Sequence, residues 1–225
     1  MYTQYSNQSD DNVSVVGYRV RRKLNMTNHS HIEYWQRFIQ GDQEAFRSLY
    51  DVYVNSLFSY AIRYCADEEI VKDSIHDLFV DLHRYRSRLN PNVNVKAYLF
   101  GSLRRKVAES KKKSINRSIS AEDYHFRLGL ATEDYITLPD DKENEVLTKL
   151  RVEMEKLPHR QKEALYLRFT CDMSYEQVAQ IMDISIASCR TFIYRAIKDL
   201  RLRMENSKIS QLLFIAFLPT RDISK

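Results

Sequence analysis

Hydrophobic residues recur three and four positions apart along most of the chain, a spacing that gives a helix one apolar face. After Gly41 the pattern predicts a long helix whose inward residues are Phe46, Leu49, Tyr50, Tyr53, Leu57, Tyr60, Ala61 and Tyr64. Further helices are predicted over 33–40, after Ala66, and from Val95 to Lys113. We expect the tyrosines of the long helix to pack in the core with their hydroxyls reaching the surface.

The strongest local pattern lies near the end of the chain, where two helices are joined by a short turn. Ser174 and Gln177 have the spacing of a capping box, so the first helix is predicted to begin near Tyr175. Asp183 to Ser185 interrupts it, and Ser185 can cap a second helix that runs to about Arg203. The pair has the form of a helix-turn-helix.

The second of these helices has two different faces. Its apolar stripe, expected to face the core, is Ile186, Cys189, Ile193, Ala196, Ile197, Leu200 and Met204. Its outward residues are small, hydrogen-bonding or cationic, namely Ala187, Arg190, Thr191, Tyr194, Arg195 and Lys198. Such a face suits the base edges and phosphates of duplex DNA, so we predict that this helix enters the major groove.

A second candidate surface combines amide, aromatic and cationic side chains. The loop from Asn90 to Asn94 offers several amides, and the helix that follows carries Tyr98. The end of that helix is the densest positive patch of the chain, formed by Arg104, Arg105, Lys106, Lys111, Lys112 and Lys113. Single-stranded DNA binds such surfaces by stacking its bases on rings and placing phosphates beside cations. We therefore predict contact with separated DNA strands.

Composition narrows the fold class and excludes several kinds of site. Only 4 glycines and 4 prolines occur in 225 residues, which is too few for the many tight turns of a sheet-rich fold, so an all-α protein is predicted. The net charge of +5 favours a polyanionic partner where it is concentrated. The three cysteines are scattered, and neither a metal site, a cofactor site nor a catalytic centre is predicted. The polar start has no secretory signal, so a cytoplasmic protein without a membrane span is expected.

Changes in periodicity and charge predict two small helical domains joined by a flexible acidic linker. The predicted order is an extension over 1–28, a domain over 29–114, the linker over 115–143, a domain over 144–206 and an apolar tail over 207–225. Native translation starts at either Met1 or Met26. The tail is too short to span a bilayer, and we weigh packing against a domain, a partner contact and self-association as its roles.

Five segments in this order resemble the extracytoplasmic-function sigma factors, the small sigma subunits of bacterial RNA polymerase that keep only the second and fourth sigma regions. The resemblance covers roughly Glu33 to Met204. The segments are Gly41 to Tyr50, Asp73 to Phe79, Val95 to Phe100, Leu157 to Ala164, and Ser174 to Ala179. Three positions depart from the usual pattern, with His76 in place of glutamine, Tyr98 in place of tryptophan, and Phe192 in place of arginine.

The resemblance implies a role for each candidate surface. Asp73, His76 and Asp77 would dock on the clamp helices of the largest subunit of core RNA polymerase. Asn90, Asn92, Asn94, Lys96, Tyr98, Arg104 and Arg105 would bind the opened minus-ten element of the promoter. The outward residues of the second helix of the pair would read the minus-thirty-five element as duplex. The linker would lie in the channel through which RNA later passes.

The family also implies a further partner, an anti-sigma factor that holds the protein inactive and is often anchored in the membrane. Two other functions compete with this interpretation. One is a helix-turn-helix regulator that binds operators without polymerase and has no use for the surface from Asn90 to Lys113. The other is an enzyme such as a nuclease, which the sequence disfavours because it has neither a carboxylate and histidine cluster nor a phosphate-binding glycine loop.

Overall fold

The computed structural model describes residues 31–115, 126–128 and 141–204, and every regular element in these ranges is helical. The α-helices are α1 over 31–39, α2 Gln43–Ala61, α3 Glu68–Arg84, α4 Val95–Ile115, α5 Asp141–Glu155, α6 His159–Leu165, α7 Tyr175–Met182 and α8 Ile186–Arg203. A 3-10 turn, Arg86–Arg88, follows α3, and a π-helical turn, Tyr166–Thr170, follows α6. The prediction of an all-α fold is confirmed.

Aspartates at the start of α2 and α3 explain where those helices begin. Asp42 Oδ1 accepts hydrogen bonds from the amides of Glu44 and Ala45 at 2.9 and 3.1 Å, and Asp67 bonds the first turn of α3 in the same way. These bonds satisfy amides that have no partner within the helix. The Ala45 amide and the Arg37 side chain together hold the pKa of Asp42 below its ordinary value.

The described residues form two compact units that do not follow chain order. The first contains the described residues up to Tyr53 together with Asp81–Val95, and the second contains Val54–Val80 together with the described residues from Lys96 onward. In the first unit Trp35 and Phe38 are buried, and the Phe38 ring stacks on Phe46 with centroids 5.1 Å apart.

The second unit contains the helix pair that the sequence predicts. Helix α8 packs against α5, α6 and α7, and its inward residues Cys189, Ile193, Ala196, Leu200 and Met204 are buried. These are five of the seven residues that helical spacing assigns to the core. Because the apolar stripe is covered by three helices, the opposite side of α8 is left facing solvent.

Aromatic rings form a second buried group in this unit, which we call the aromatic cluster: Tyr60, Tyr64, Phe100, Phe126 and Tyr166. The expectation that the tyrosine hydroxyls reach the surface is wrong for Tyr60 and Tyr64. Both rings are buried, and both hydroxyls donate instead to a buried carboxylate. A buried hydroxyl requires such a partner, because an unpaired one is costly to remove from water.

Several predicted segments lie wholly or largely outside the described residues. These are the extension over 1–28, the tail over 207–225, and all of the linker over 115–143 except its two ends and residues 126–128. Helix α5 already begins at Asp141, inside the range predicted as linker. The boundaries of the two domains stay a prediction.

Candidate nucleic-acid interface

Three local interactions fix the geometry of the helix pair α7 and α8. Ser174 Oγ accepts from the Gln177 amide at 3.3 Å, and the Gln177 side chain accepts from the Ser174 amide at 2.7 Å, which completes the predicted capping box. Asp183 ends α7 in the left-handed conformation, with φ of 54°, a conformation that aspartate tolerates better than most residues. Ser185 Oγ then accepts from the Ser188 amide at 3.1 Å and starts α8.

All six predicted DNA-contacting residues of α8 are exposed: Ala187, Arg190, Thr191, Tyr194, Arg195 and Lys198. Tyr194 is the most exposed large hydrophobic residue in the described part of the chain, at 66%. The assignment of Ile186 to the core is wrong, since this residue is 41% exposed. Ile186 is the first residue of α8, so its side chain extends past the end of the covered stripe.

Near the start of α8, one aromatic ring contacts two guanidinium groups. Arg168 and Arg190 both lie over the Tyr175 ring, at 5.2 and 5.5 Å from its centroid. Such cation–π contacts restrict a flexible side chain while leaving its N–H groups available. Thr191 Oγ1 donates to the carbonyl of Ala187 at 2.9 Å, which fixes the orientation of its hydroxyl. The face is therefore both accessible and partly preordered.

The amide-rich loop uses some of its polar groups internally. Asn90 Oδ1 accepts from the Asn92 amide at 2.8 Å, and the Asn90 carbonyl accepts from the indole N–H of Trp35 at 3.0 Å. The side chains of Asn92 and Asn94 are exposed. All three predicted asparagines are therefore exposed, and Asn90 also shapes the turn that presents the other two.

The predicted DNA residues of α4 have three different environments. Arg105 is exposed and donates to Ser102 Oγ at 3.2 Å, whereas Tyr98 is half-buried. Lys96 donates its ammonium to the backbone carbonyl of Cys171, and burial lowers the pKa of this lysine. Arg104 is only 23% exposed in its side chain and is paired with a carboxylate. Lys96 and Arg104 are therefore occupied by protein groups in this structure.

The acidic face predicted to bind polymerase is open. Asp73, His76 and Asp77 lie on α3 at positions i, i+3 and i+4, so they share one side of the helix, and all three are exposed. Within the part of the chain that the structure describes, no group of three or more metal-ligating side chains occurs. The described helices also include none that is long and apolar enough to cross a membrane.

Comparisons with known proteins agree with this arrangement. Residues 147–200, which include α7 and most of α8, match the family described as Sigma-70, region 4. The ECF RNA polymerase sigma-E factor of Haemophilus influenzae is 27% identical over 174 residues, which are 72% of this chain and 88% of that protein. The chain is thus similar to the extracytoplasmic-function sigma factors, and its residues 147–200 match their fourth region.

Two further proteins are similar to this chain. The ECF RNA polymerase sigma factor SigM of Bacillus subtilis is 23% identical over 159 residues, covering 68% of the chain and 91% of SigM. The solved structure of CnrH in complex with the cytosolic domain of CnrY has the same fold, with a TM-score of 0.53 and 18% identity over 79% of this chain and 99% of that one.

A buried carboxylate in this protein is not predicted by the sequence pattern. Glu163 is 2% exposed, and Tyr60, Tyr64 and Arg104 donate to it at 2.7, 2.8 and 3.0 Å. We call these four residues the carboxylate cluster. In the sequence Glu163 stands among other charged residues of α6, and nothing there marks it as buried. The tyrosine pair at i and i+4 was visible, but its partner lies about a hundred positions away in the chain.

Electrostatics within the carboxylate cluster favour a charged guanidinium beside neutral phenols. Burial raises the pKa of Tyr60 and Tyr64 well above the ordinary value, and the neighbouring Glu163 raises it further. Burial alone lowers the pKa of Arg104, but Glu163 and the two tyrosines outweigh this effect, so the pKa is raised overall. The guanidinium therefore keeps its charge, and the phenols keep their protons, throughout the neutral range.

Proposed function

We propose that this sigma factor directs core RNA polymerase to promoters by gripping duplex DNA with α8 and holding an opened strand with the loop before α4 and with α4 itself. The single observation that carries the proposal is the capped helix pair, in which the apolar side of α8 is buried and all six candidate contact residues are exposed. A helix presented in this way fits the major groove at the minus-thirty-five element.

Binding of the opened minus-ten strand is assigned to Asn90, Asn92, Asn94, Lys96, Tyr98, Arg104 and Arg105. Exposed amides can bond unstacked bases, and the half-buried Tyr98 ring can support one by stacking. The exposed Arg105 is available to a phosphate as the structure stands. Capturing an unstacked base in this way favours strand separation without consumption of a nucleoside triphosphate.

Polymerase docking is assigned to the open face of α3. Asp73 and Asp77 supply negative charge, and His76 between them supplies a side chain that can both donate and accept hydrogen bonds. We expect Asp73→Asn combined with Asp77→Asn to weaken binding to core polymerase, measured by competition against the wild-type protein. Glu69→Gln, at an exposed acidic position in the first turn of the same helix, is the matched control.

Reconstituted transcription tests the whole proposal. The purified protein is mixed with core RNA polymerase and a promoter library, and the transcript starts are sequenced. Initiation at a defined set of sites is expected. If the protein neither associates with core polymerase nor supports initiation at any site, the proposal is wrong, and DNA binding that persists without polymerase would instead favour the helix-turn-helix regulator, which the comparisons do not favour.

We further propose that an anti-sigma factor binds this protein in the cell and that the complex is cytoplasmic, with the inhibitor either soluble or membrane-anchored. The solved relative CnrH is held by the cytosolic domain of CnrY. The described residues expose several large apolar side chains that a partner could cover, among them Val80, Tyr85, Val152 and Leu202. Affinity purification of the tagged protein from native cells should recover such an inhibitor. We infer no catalytic activity and no cofactor.

A further inference from the structure

One face of α4 is covered by the segment that leads into the helix-turn-helix. Lys96 and Arg104 lie eight positions apart and therefore on the same side of the helix. Lys96 bonds the carbonyl of Cys171, and Arg104 bonds Glu163 of α6. Between them Gly101 faces α7, where an added Cβ would lie 3.7 Å from the Cα of Ile181. The same side of α4 thus contacts α6, α7 and the turn between them.

The carboxylate cluster is the most specific of these contacts. Glu163 Oε1 accepts from Tyr60 and Arg104, and Oε2 accepts from Tyr64, while Arg104 also donates to the Tyr64 hydroxyl at 2.7 Å. Charge-assisted bonds of this kind are stronger and more directional than neutral ones. A buried carboxylate that lost these donors would be left without compensation, so the cluster acts as a unit.

A short piece of the predicted linker closes over the same contact. Phe126 is 1% exposed and contacts Tyr60, Tyr64 and Tyr166, with ring centroids 5.6 to 6.0 Å apart. The next two amides are also bonded, Arg127 to the Arg63 carbonyl at 3.0 Å and Leu128 to Glu155 Oε1 at 2.8 Å. Phe126 therefore joins residues of α2 to residues near α6 through a side chain that belongs to neither.

We propose that the carboxylate cluster and Phe126 form an intramolecular latch, which closes the helix-turn-helix segment over α4 and must open before Lys96 and Arg104 can bind DNA. The inference rests on the proposed function for the role of these two cations. Its physical basis is exclusion, since an ammonium or guanidinium bonded to Cys171 or Glu163 is not available to a phosphate at the same time. The latch makes the closed protein unable to use two of the seven residues of its minus-ten surface, Lys96 and Arg104.

The latch is tested in the full-length protein by changing one part of it and measuring the accessibility of a distant part. Phe126→Ala removes the ring that fills the aromatic cluster, and the readout is acylation of Lys96 by an N-hydroxysuccinimide ester, quantified by mass spectrometry. Lys96 and Arg104 are about 12 Å apart along α4 at 1.5 Å per residue, so a purely local effect of the missing ring would not reach the lysine. Acylation of the exposed Lys198 serves as the internal reference.

In the reverse direction, Glu163→Gln weakens the pairing with Arg104, and the readout is hydrogen exchange at the amides of Arg127 and Leu128. We expect Phe126→Ala to raise acylation of Lys96, and Glu163→Gln to raise hydrogen exchange at Arg127 and Leu128, each by about tenfold. A change of this size corresponds to the loss of one charge-assisted bond or one buried contact in a two-state equilibrium. Phe169→Ala and Glu109→Gln are matched controls at exposed positions and should change neither readout. Circular dichroism verifies that each variant keeps its helices.

Binding of a fluorescein-labelled single-stranded DNA oligonucleotide completes the test. Both latch variants should bind it more tightly than the wild-type protein, although neither adds a cation. If Phe126→Ala leaves Lys96 as protected as before, or if Lys96 is freed while DNA affinity stays unchanged, the latch is refuted. If the wild-type protein does not support polymerase-dependent initiation, the proposed function is wrong. The coupling between Phe126 and Lys96 can still be measured in that case.

Discussion

The two candidate DNA surfaces of this protein contain similar residue types but differ in accessibility. On α8 all the candidate contacts are exposed, and Arg190 lies over the Tyr175 ring. On α4 the exposed Arg105 lies beside Arg104, which is bonded to Glu163 and largely buried. Residue type alone therefore does not distinguish a candidate DNA contact from an internal contact. The distinction depends on whether the charged group is already paired with another group of the protein.

Removing the carboxylate of Glu163 should have the largest effect. Glu163→Ala leaves Arg104 and two buried hydroxyls without their acceptor, and loss of one partner of a buried ion pair costs about 3 to 5 kcal/mol. We expect a fall of that size in the free energy of unfolding, measured with urea. Glu109→Ala, at an exposed position of α4, should change stability by no more than about 0.5 kcal/mol. Equal effects of the two would mean that the buried pair contributes nothing specific.

Alkaline pH probes the same cluster through its tyrosines. Because the pKa of Tyr60 and Tyr64 is raised in the folded state, the unfolded chain loses these protons first as the pH passes 10. The contribution of these two tyrosines to the free energy of unfolding is complete below pH 10. Above pH 10 it falls by about 1.4 kcal/mol per pH unit for each tyrosine. Tyr60→Phe with Tyr64→Phe should flatten this slope in urea titrations, whereas Tyr194→Phe at the exposed ring should leave it unchanged.

On the open surface, Arg190→Ala should affect binding rather than folding. If Arg190 bonds one base in bidentate fashion, the substitution costs about 1 to 3 kcal/mol at that base and relaxes the preference there. A uniform loss on every sequence would mark a phosphate contact instead. Fluorescence anisotropy with duplex promoter variants measures the difference, and Arg151→Ala, which removes an exposed cation from α5, is the control.

The cap that positions α8 should have a smaller effect. Ser174→Ala removes the acceptor of the Gln177 amide and should lower the free energy of unfolding by about 1 kcal/mol. Ser174→Asp keeps an acceptor at this position and should restore most of the loss. If alanine and aspartate behave alike, the capping box observed at Ser174 does not contribute to stability.

The reactivity of two cysteines compares a buried site with a half-buried one, and this is the smallest of the expected effects. Burial raises the pKa of Cys189 to about 11, so at pH 8 only about one thiol in a thousand is ionised. Cys171 is half-buried. Iodoacetamide should therefore modify Cys171 well before Cys189, as followed by mass spectrometry of tryptic peptides. Faster modification of Cys189 would show that α8 separates readily from its neighbours.

Local patterns in the sequence predicted the helices and the face of α8, because both depend on residues a few positions apart. Ser174 with Gln177 specifies a cap, and the spacing of Cys189, Ile193 and Leu200 specifies which side is buried. Ile186 was misplaced, since periodicity does not say how far along a helix the covering neighbours extend. The site residues of both surfaces stay predictions of contact, although their exposure is now described.

The interactions that join distant segments could not be predicted in this way. Glu163 meets Tyr60 and Tyr64 across about a hundred positions, and no local signal distinguishes it from the solvated charges beside it. Phe126 stands among polar and acidic residues, a composition that indicates linker. The predicted linker contains three large rings, Tyr124, Phe126 and Tyr135, and the sequence pattern does not distinguish Phe126 from the other two.

The burial of Phe126 also has a consequence for how the protein comes apart on unfolding. The ring contacts Tyr60 of α2, Tyr64 just after it, and Tyr166 after α6. Because one buried side chain touches residues that are far apart in the chain, its loss weakens the contacts of both regions in the same step.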